Sequence, residues 1–153
     1  MRQRTNPVEE LPPDDPGAGL RDAFALLLPI RRQRLRRSER QQRQYEQQLK
    51  RLREEERAAA EQLTERQSDY QTLRDGFDAA HLGHQTLSQL QRGLQREAQA
   101  AGAVQQQQQQ VREYECRCVT QGERLAAAQT ETQRRQRELE KLEMLMQENE
   151  VKP

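Results

Sequence analysis

Residues 45–63 read YEQQLKRLREEERAAAEQL, and apolar side chains recur there in alternating steps of three and four residues. The positions on this spacing are Tyr45, Leu49, Leu52, Glu56, Ala59 and Leu63. Such alternation places side chains on one narrow stripe of an α-helix, the seam of a coiled coil. The stretch therefore predicts a long helix that buries its seam against a second helix.

The same spacing continues over residues 28–80. It comprises Leu28, Arg31, Leu35, Ser38, Gln42, Tyr45, Leu49, Leu52, Glu56, Ala59, Leu63, Arg66, Tyr70, Leu73, Phe77 and Ala80. Eleven of these sixteen positions are apolar, in a chain with a hydrophobic content of 32%. A disordered chain would not keep this phase for so long, so the whole segment is predicted to be helical.

A second run follows over residues 87–146. It comprises Leu87, Leu90, Leu94, Glu97, Ala101, Val104, Gln108, Val111, Tyr114, Cys118, Gln121, Leu125, Ala128, Thr132, Arg135, Leu139, Leu142 and Met146. Thirteen of these eighteen positions are apolar. Two three-residue steps follow each other after Gln108, which predicts a stammer, a local overwinding of the helix.

The composition argues against a globular enzyme. Of the 153 residues, 33% are charged, 26 are Gln and only 3% are aromatic. Ordinary globular domains contain about 45–50% apolar residues, so this chain has too little apolar material for a compact core. Disorder or long helices with narrow seams fit such a composition, and the net charge of +1 does not distinguish them.

Proline and glycine set the expected start of the first helix. Residues 1–19 contain four prolines and two glycines without an apolar period, which predicts a disordered arm. Pro29 fits the first turn of a helix, where its missing N–H costs nothing. The first helix is therefore expected at about residues 29–80.

A turn is expected at residues 81–85. Gly83 can adopt the left-handed conformation that ends a helix. Thr86 and Gln89 have the spacing of a capping box, which begins the next helix. The second helix is therefore expected at about residues 86–149.

Two helices with one seam each and a short connection fold back on each other. The predicted fold is all-α, an antiparallel coiled-coil hairpin over residues 20–152. Pairing across a turn at Gly83 places Phe77 near Leu90, apolar against apolar. The base of the hairpin is expected to fray more easily than the tip beside the turn, where six apolar residues cluster: Tyr70, Leu73, Phe77, Leu87, Leu90 and Leu94.

Neither a metal site nor catalysis is expected. His81 and His84 form an H-x-x-H and Cys116 and Cys118 a C-x-C, but the hairpin separates the two pairs by roughly 50 Å. The sequence contains no Walker loop, no G-x-G-x-x-G, no H-E-x-x-H and no Ser/His/Asp order. We therefore expect no enzymatic activity and no cofactor.

The expected location is the cytoplasm, without membrane insertion. The apolar stretch that contains residues 25–28 ends at Pro29 and is far shorter than a membrane span requires. It also lacks the charge order of a secretion signal. Two cysteines fit a reducing compartment.

A basic block covers residues 31–53. It contains ten Lys or Arg residues and only two acidic ones, Glu39 and Glu46. Such a block could bind nucleic acid phosphates. It also carries the seam, so the charges line the outside of a paired helix, where solvent or an acidic protein is the favoured contact.

Both ends of the hairpin resemble the stalk proteins of type III secretion systems, the FliJ, YscO and HrpO proteins collectively called SctO. The opening, FALLLPIRRQR at residues 24–34, is similar to theirs, as is the closing RRQRELEKLE at residues 134–143. The resemblance covers about residues 24–148. It implies a hairpin similar to the rotor stalk of the F-type ATPase gamma subunit.

The resemblance also implies partners. The helix ends would sit in the pore of the hexameric secretion ATPase (SctN-like), and the tip would point to the export gate (SctV-like). The stalk would promote ATPase assembly or activity and link it to export. Some members also bind translocator chaperones. The implied ATPase-binding residues are Arg31, Arg32, Arg34, Arg36, Arg37, Arg134, Arg137 and Lys141. The implied gate-binding residues are Phe77, Leu87, Leu90, Gly93 and Leu94.

Two alternatives stay open. One is a chaperone-escort or scaffolding coiled coil of the same secretion system that does not contact the ATPase. The other is a basic helix that binds RNA or DNA, although no nucleic acid is expected as a partner of a secretion stalk.

Overall fold

The chain folds as two long α-helices packed against each other, as seen in a computed structural model that describes residues 16–80 and 86–151. Helix α1 spans Pro16–Ala80 and helix α2 spans Leu87–Val151. The prediction of an all-α helical hairpin is confirmed. The expected turn at residues 81–85 and residues 1–15 of the expected arm lie outside the described residues.

The chain divides into two compact units. The terminal unit combines residues 16–44 of α1 with residues 126–151 of α2, and the central unit comprises the described part of residues 45–125. Each unit therefore contains a segment of both helices and its own stretch of seam.

Helix α1 begins thirteen residues earlier than expected. Its first residue is Pro16, so residues 16–19 are helical, and Pro29 lies inside the helix. Proline is favoured in a first helical turn, which suits Pro16. Inside a helix it removes one hydrogen bond, here the one that the Ala25 carbonyl would accept, at a cost of about 3 kcal/mol. Burial of the neighbouring seam residues offsets this cost, because Phe24 is buried and Leu28 is half-buried.

The capping box at the start of α2 is confirmed. The backbone N–H of Gln89 donates to Thr86 Oγ1 at 3.2 Å, and the backbone N–H of Thr86 donates to Gln89 Oε1 at 3.3 Å. The backbone N–H of Leu90 donates to the Thr86 carbonyl at 3.0 Å, which is the first bond of the helix. Two amide hydrogens that the first turn leaves without helical partners are thereby satisfied.

The predicted seam of α1 is also confirmed. Of its positions from Leu28 to Phe77, all but one are buried or half-buried, and the exception is Leu73 with 39% exposure. Phe24 extends the same spacing by one step and is 8% exposed. The steps of three and four residues predicted the buried stripe here because leucines occupy enough of its positions to fix the phase.

The predicted stammer in α2 is wrong. Gln107, not Gln108, occupies the seam and is only 1% exposed. The residues on a strict alternation of three and four, all at least half-buried, are Leu90, Gly93, Glu97, Ala100, Val104, Gln107, Val111, Tyr114, Cys118, Gln121, Leu125, Ala128, Thr132, Arg135, Leu139, Leu142, Met146 and Asn149. Leu87 and Leu94, which the sequence placed in the seam, are 70% and 52% exposed.

The apolar cluster expected at the tip is only partly buried, because Leu73, Leu87 and Leu94 are exposed. Among the described residues, the buried apolar side chains are Phe24, Ala128 and Leu142 in the terminal unit and Leu49 and Ala59 in the central unit. Near the turn, the seam of α2 contains the small residue Gly93 where leucine was expected. The best packed apolar layers therefore lie away from the turn.

Candidate arginine-rich interface

All eight residues implied for ATPase binding lie in the terminal unit. Arg31 occupies the seam of α1 and is half-buried. Its Nη1 donates to the backbone carbonyl of Glu138 on α2 at 2.8 Å. Arg31 therefore holds the two helices together, and its guanidinium is already engaged within the hairpin.

The other four arginines of α1 project to solvent. Arg32, Arg34, Arg36 and Arg37 are all exposed, and within the described residues none of them forms an ion pair. They lie one, three, five and six residues after Arg31, which is a seam residue. At 3.6 residues per turn, these positions are spread around the part of the helix that does not face α2. Their charges are available to a partner.

The corresponding segment of α2 is different, because its arginines are partly neutralised. Nε of Arg134 lies 3.6 Å from Glu131 Oε2 and 3.7 Å from Glu138 Oε1. Nε of Arg135 lies 2.9 Å from Glu131 Oε1, and its Nη1 lies 3.3 Å from Glu138 Oε2. Arg137 is exposed outside this network.

The ion-pair network of Arg135 with Glu131 and Glu138 was not identified from the sequence. Glu131, Arg135 and Glu138 have the steps of four and three residues at which helical side chains meet. That spacing was the available signal. Because Arg135 is only 24% exposed, its ion pairs are screened less than those of Arg134.

The two helices of the terminal unit carry opposite charge. Residues 17–44 of α1 contain eight arginines against Asp22 and Glu39. Residues 126–150 of α2 contain three arginines and Lys141 against six glutamates. The sequence interpretation treated both segments as parts of one positive surface. The positive charge belongs to α1, while Lys141 and Arg137 lie among carboxylates.

A shallow groove runs along the outer surface of α1. Pro29, Gln33, Arg36, Arg40 and Arg43 line it. These residues alternate at steps of four and three, so they form one straight row on the helix. Three arginines in such a row form a linear array of positive charge about two turns long.

The five residues implied for gate binding divide into two groups. Phe77, Leu90 and Gly93 are half-buried seam residues, and a Cβ on Gly93 would overlap the ring of Phe77. Leu87 and Leu94 are exposed and lie seven residues apart, on one face of α2. Only these two leucines are placed to contact a partner while the hairpin remains closed.

Polar side chains of the central unit cross the seam to backbone carbonyls. Gln107 Nε2 donates to the Ala59 carbonyl at 2.9 Å, and Arg66 Nη1 donates to the Ala103 carbonyl at 3.2 Å. Gln121 Nε2 donates to the Tyr45 carbonyl at 3.3 Å and to Gln48 Oε1 at 3.0 Å. Residue numbers on α1 rise as their partners on α2 fall, so the helices are antiparallel.

Cys118 belongs to the same set of contacts. Its thiol donates to Glu56 Oε2 at 3.2 Å. Burial raises the pKa of the Cys118 thiol, and the hydrogen bond to Glu56 and the charge of that carboxylate raise it further. Arg53 lowers this pKa to a smaller degree. Cys116 is exposed. The thiol of Cys118 is therefore a hydrogen-bond donor in the seam.

Metal ligands are not gathered in the part of the chain that the structure describes. No three His, Cys, Asp or Glu residues there are placed to hold one ion. His81 and His84 lie outside that part. Neither described helix contains an apolar stretch long enough to cross a membrane.

Comparison of the chain with protein-family models, with curated proteins and with solved structures gives no match.

Proposed function

We propose that the protein is the central stalk of a type III secretion system, which binds the secretion ATPase hexamer through the terminal unit. The observation that carries the proposal is the set of exposed arginines without ion pairs on α1, Arg32, Arg34, Arg36 and Arg37. The resemblance of residues 24–34 and 134–143 to the SctO proteins supports it.

The physical basis is long-range electrostatic attraction. A ring of acidic groups attracts an arginine-rich helix without requiring a rigid set of contacts, so the helix can turn inside the ring. The carboxylates of α2 orient the unit, because they would be repelled by the same acidic lining. Arg134, Arg137 and Lys141 reduce that repulsion, and α1 supplies most of the attraction.

In this proposal the structure-based contact set differs from the one that the resemblance implies. Arg31 is removed, because its guanidinium is bonded to the Glu138 carbonyl. Arg40 and Arg43 are added, because they continue the exposed row that contains Arg36. In the central unit, the export gate would contact Leu87 and Leu94, the exposed members of the implied gate set.

The test is the activity of the cognate secretion ATPase. Adding the protein should raise hexamer formation and ATP turnover, and the double variant Arg32→Glu, Arg36→Glu should lose most of this effect. The matched control is Arg57→Glu with Arg74→Glu, which makes the same charge change at exposed positions of α1 in the central unit. Helicity should be unchanged in both variants.

The proposal fails if the wild-type protein neither stimulates nor co-purifies with the ATPase. It also fails if the two double variants lose the effect equally, because the loss would then follow net charge and not the terminal arginines. Pull-down of translocator chaperones without ATPase binding would favour a chaperone-escort or scaffolding role.

A second candidate function is binding to a polyanion such as RNA or DNA. The row of Arg36, Arg40 and Arg43 along one groove favours it, because evenly spaced cations can follow a phosphate backbone. Binding to a nonspecific duplex should weaken steeply as salt is raised, with a slope that falls when all three arginines become glutamine. Salt-independent or undetectable binding excludes this function.

A further inference from the structure

The terminal unit carries a second stripe on each helix, immediately beside the seam. On α1 it consists of Leu20, Ala23, Leu27, Ile30, Arg34 and Arg37. On α2 it consists of Glu131, Arg134, Glu138, Lys141, Leu145 and Glu148. Both stripes keep the alternation of three and four residues, which is the pattern of a helix face that packs.

The two stripes lie on the same side of the unit. Each stripe residue of α1 after Leu20, and each stripe residue of α2, immediately precedes a seam residue of its own helix. In an antiparallel pair of helices, the residues that precede the seam lie on the same side of it. The bond from Arg31 to the Glu138 carbonyl fixes their relative height. We call the surface made by both stripes the side face.

The side face exposes large apolar side chains. Leu20 is 43% exposed, Leu27 39%, Ile30 44% and Leu145 44%. Monomeric proteins rarely leave contiguous apolar patches beyond roughly a few hundred Å² without a use for them. Three leucines and one isoleucine on one side of a two-helix unit form a candidate contact surface.

We propose that the side face binds the same face of a second copy, related by a twofold axis parallel to the helices. Such a rotation places α1 of each copy over α2 of the other, which makes a self-complementary contact. Leu20 and Leu27 then meet the partner's Leu145. The four-helix arrangement buries the apolar half of both side faces.

Charge complementarity selects a second copy as the occupant. The α1 stripe carries Arg34 and Arg37 and no acidic residue, whereas the α2 stripe carries three glutamates against Arg134 and Lys141, so the two stripes that meet have net charges of opposite sign. At the height set by Arg31, Arg37 lies over the partner's Glu131, and Arg34 lies between the partner's Arg134 and the partner's Glu138. These glutamates keep 41% and 36% exposure beside Arg134 and Arg135, so their oxygens can accept further bonds.

This inference does not rest on the proposed secretion function. It also has a consequence for it, since Arg34 and Arg37 would serve both contacts. The dimer and the ATPase would compete for the same two side chains. Few apolar residues take part, so the dimer should be weak and reversible, as interfaces at the small end of the range are.

Sedimentation equilibrium of the full chain over a range of concentrations tests the apolar half. The wild type should dimerise, and Leu27→Glu with Ile30→Glu should weaken association at least tenfold. The matched control is Leu87→Glu with Leu94→Glu, which places the same two charges on exposed leucines of the central unit. Helicity from circular dichroism should be unchanged. A wild type that is monomeric throughout, or a control that weakens association as much, overturns the proposal.

Charge reversal tests the geometry. The variant Arg34→Glu, Arg37→Glu and the variant Glu131→Arg, Glu138→Arg should each be monomeric, because each places like charges across the axis. An equimolar mixture should dimerise again, since both α1–α2 contacts become complementary. Failure to recover dimers, with both variants helical, overturns the proposed pairing. If the variant Glu131→Arg, Glu138→Arg is not helical, the other variant alone is the test: the proposed pairing is then overturned if the variant Arg34→Glu, Arg37→Glu dimerises as tightly as the wild type.

Discussion

Replacing Gln107 by alanine should destabilise the hairpin, whereas the same change at Gln108 should not. The two residues are neighbours in a run of six glutamines, so composition and helix propensity are matched. They differ in environment: Gln107 is 1% exposed and bonded to the Ala59 carbonyl at 2.9 Å, and Gln108 is half-buried beside the seam.

The magnitude follows from what the alanine removes. A neutral intramolecular hydrogen bond contributes about 1 kcal/mol, and each buried methylene about 0.8 kcal/mol. Alanine returns a few tenths of a kcal/mol through its higher helix propensity. Gln107→Ala should therefore lower the free energy of unfolding by about 1–2 kcal/mol. Gln108→Ala keeps the propensity gain and loses little, so its expected change is near zero.

A third variant separates the hydrogen bond from packing. Gln107→Leu removes the donor but fills the same space, and the Ala59 carbonyl still accepts its helical bond. Replacing a buried polar residue by an apolar one of similar size is often neutral or stabilising when no group is left unsatisfied. We expect Gln107→Leu to unfold at or above the wild-type midpoint.

Thermal and urea unfolding followed by circular dichroism measure all three variants. A loss of 1–2 kcal/mol corresponds to a fall in Tm of about 2–8 °C for a chain of this size. If Gln108→Ala destabilises as much as Gln107→Ala or more, the seam has the phase with a stammer, and the strict alternation in α2 is refuted.

Four further predictions concern individual residues. Iodoacetamide should modify Cys116 faster than Cys118 at neutral pH, because the raised pKa of Cys118 keeps it a thiol, and the difference should shrink as pH rises; equal rates at neutral pH would contradict this. Gly102→Ala should raise the free energy of unfolding by about 1 kcal/mol, since its Cβ meets open space. Gly93→Ala should lower it in the same urea titration, because its Cβ overlaps an aromatic ring. Pro29→Ala should raise Tm by restoring a helical hydrogen bond, and an unchanged Tm would contradict this prediction.

The architecture could be predicted because it depends on features that are local in sequence. The capping box needs only Thr86 and a glutamine three residues later, and it formed as expected. The phase of α1 depends on well-spaced leucines such as Leu49 and Leu52. The start of α1 could not be predicted in this way, because a proline disfavours a helix interior without excluding it, and α1 continues through Pro29.

The phase of α2 could not be predicted in the same way. Counting apolar residues favours Leu94 over Gly93, but the ring of Phe77 fills the space above Gly93 and displaces the leucine. Composition also cannot show whether Gln107 or Gln108 occupies the seam, because both are glutamines of the same run. In both cases a contact with the other helix decides which residue is buried, and such a contact appears only when both helices are placed.

The arginine surface was predictable in composition and not in detail. Sequence alone treats Arg31 and Arg32 as equivalent members of a basic block. The seam separates them, because Arg31 points at α2 and donates to a carbonyl while Arg32 remains in solvent. Similarly, the glutamates that neutralise Arg134 lie one turn away on the same helix, which a count of arginines does not register.

The polar residues of the seam share a mode of bonding that explains why the hairpin tolerates so many of them. Four of them donate to a backbone carbonyl of the opposite helix, an oxygen that has a second lone pair after accepting its helical bond. The donor is satisfied whatever side chain the acceptor residue carries, so no matching polar residue is needed across the seam. The donors are Arg31, Arg66, Gln107 and Gln121. A chain with few apolar residues can thus hold two long helices together, because each of these donors bridges the seam without requiring a matching polar side chain on the other helix.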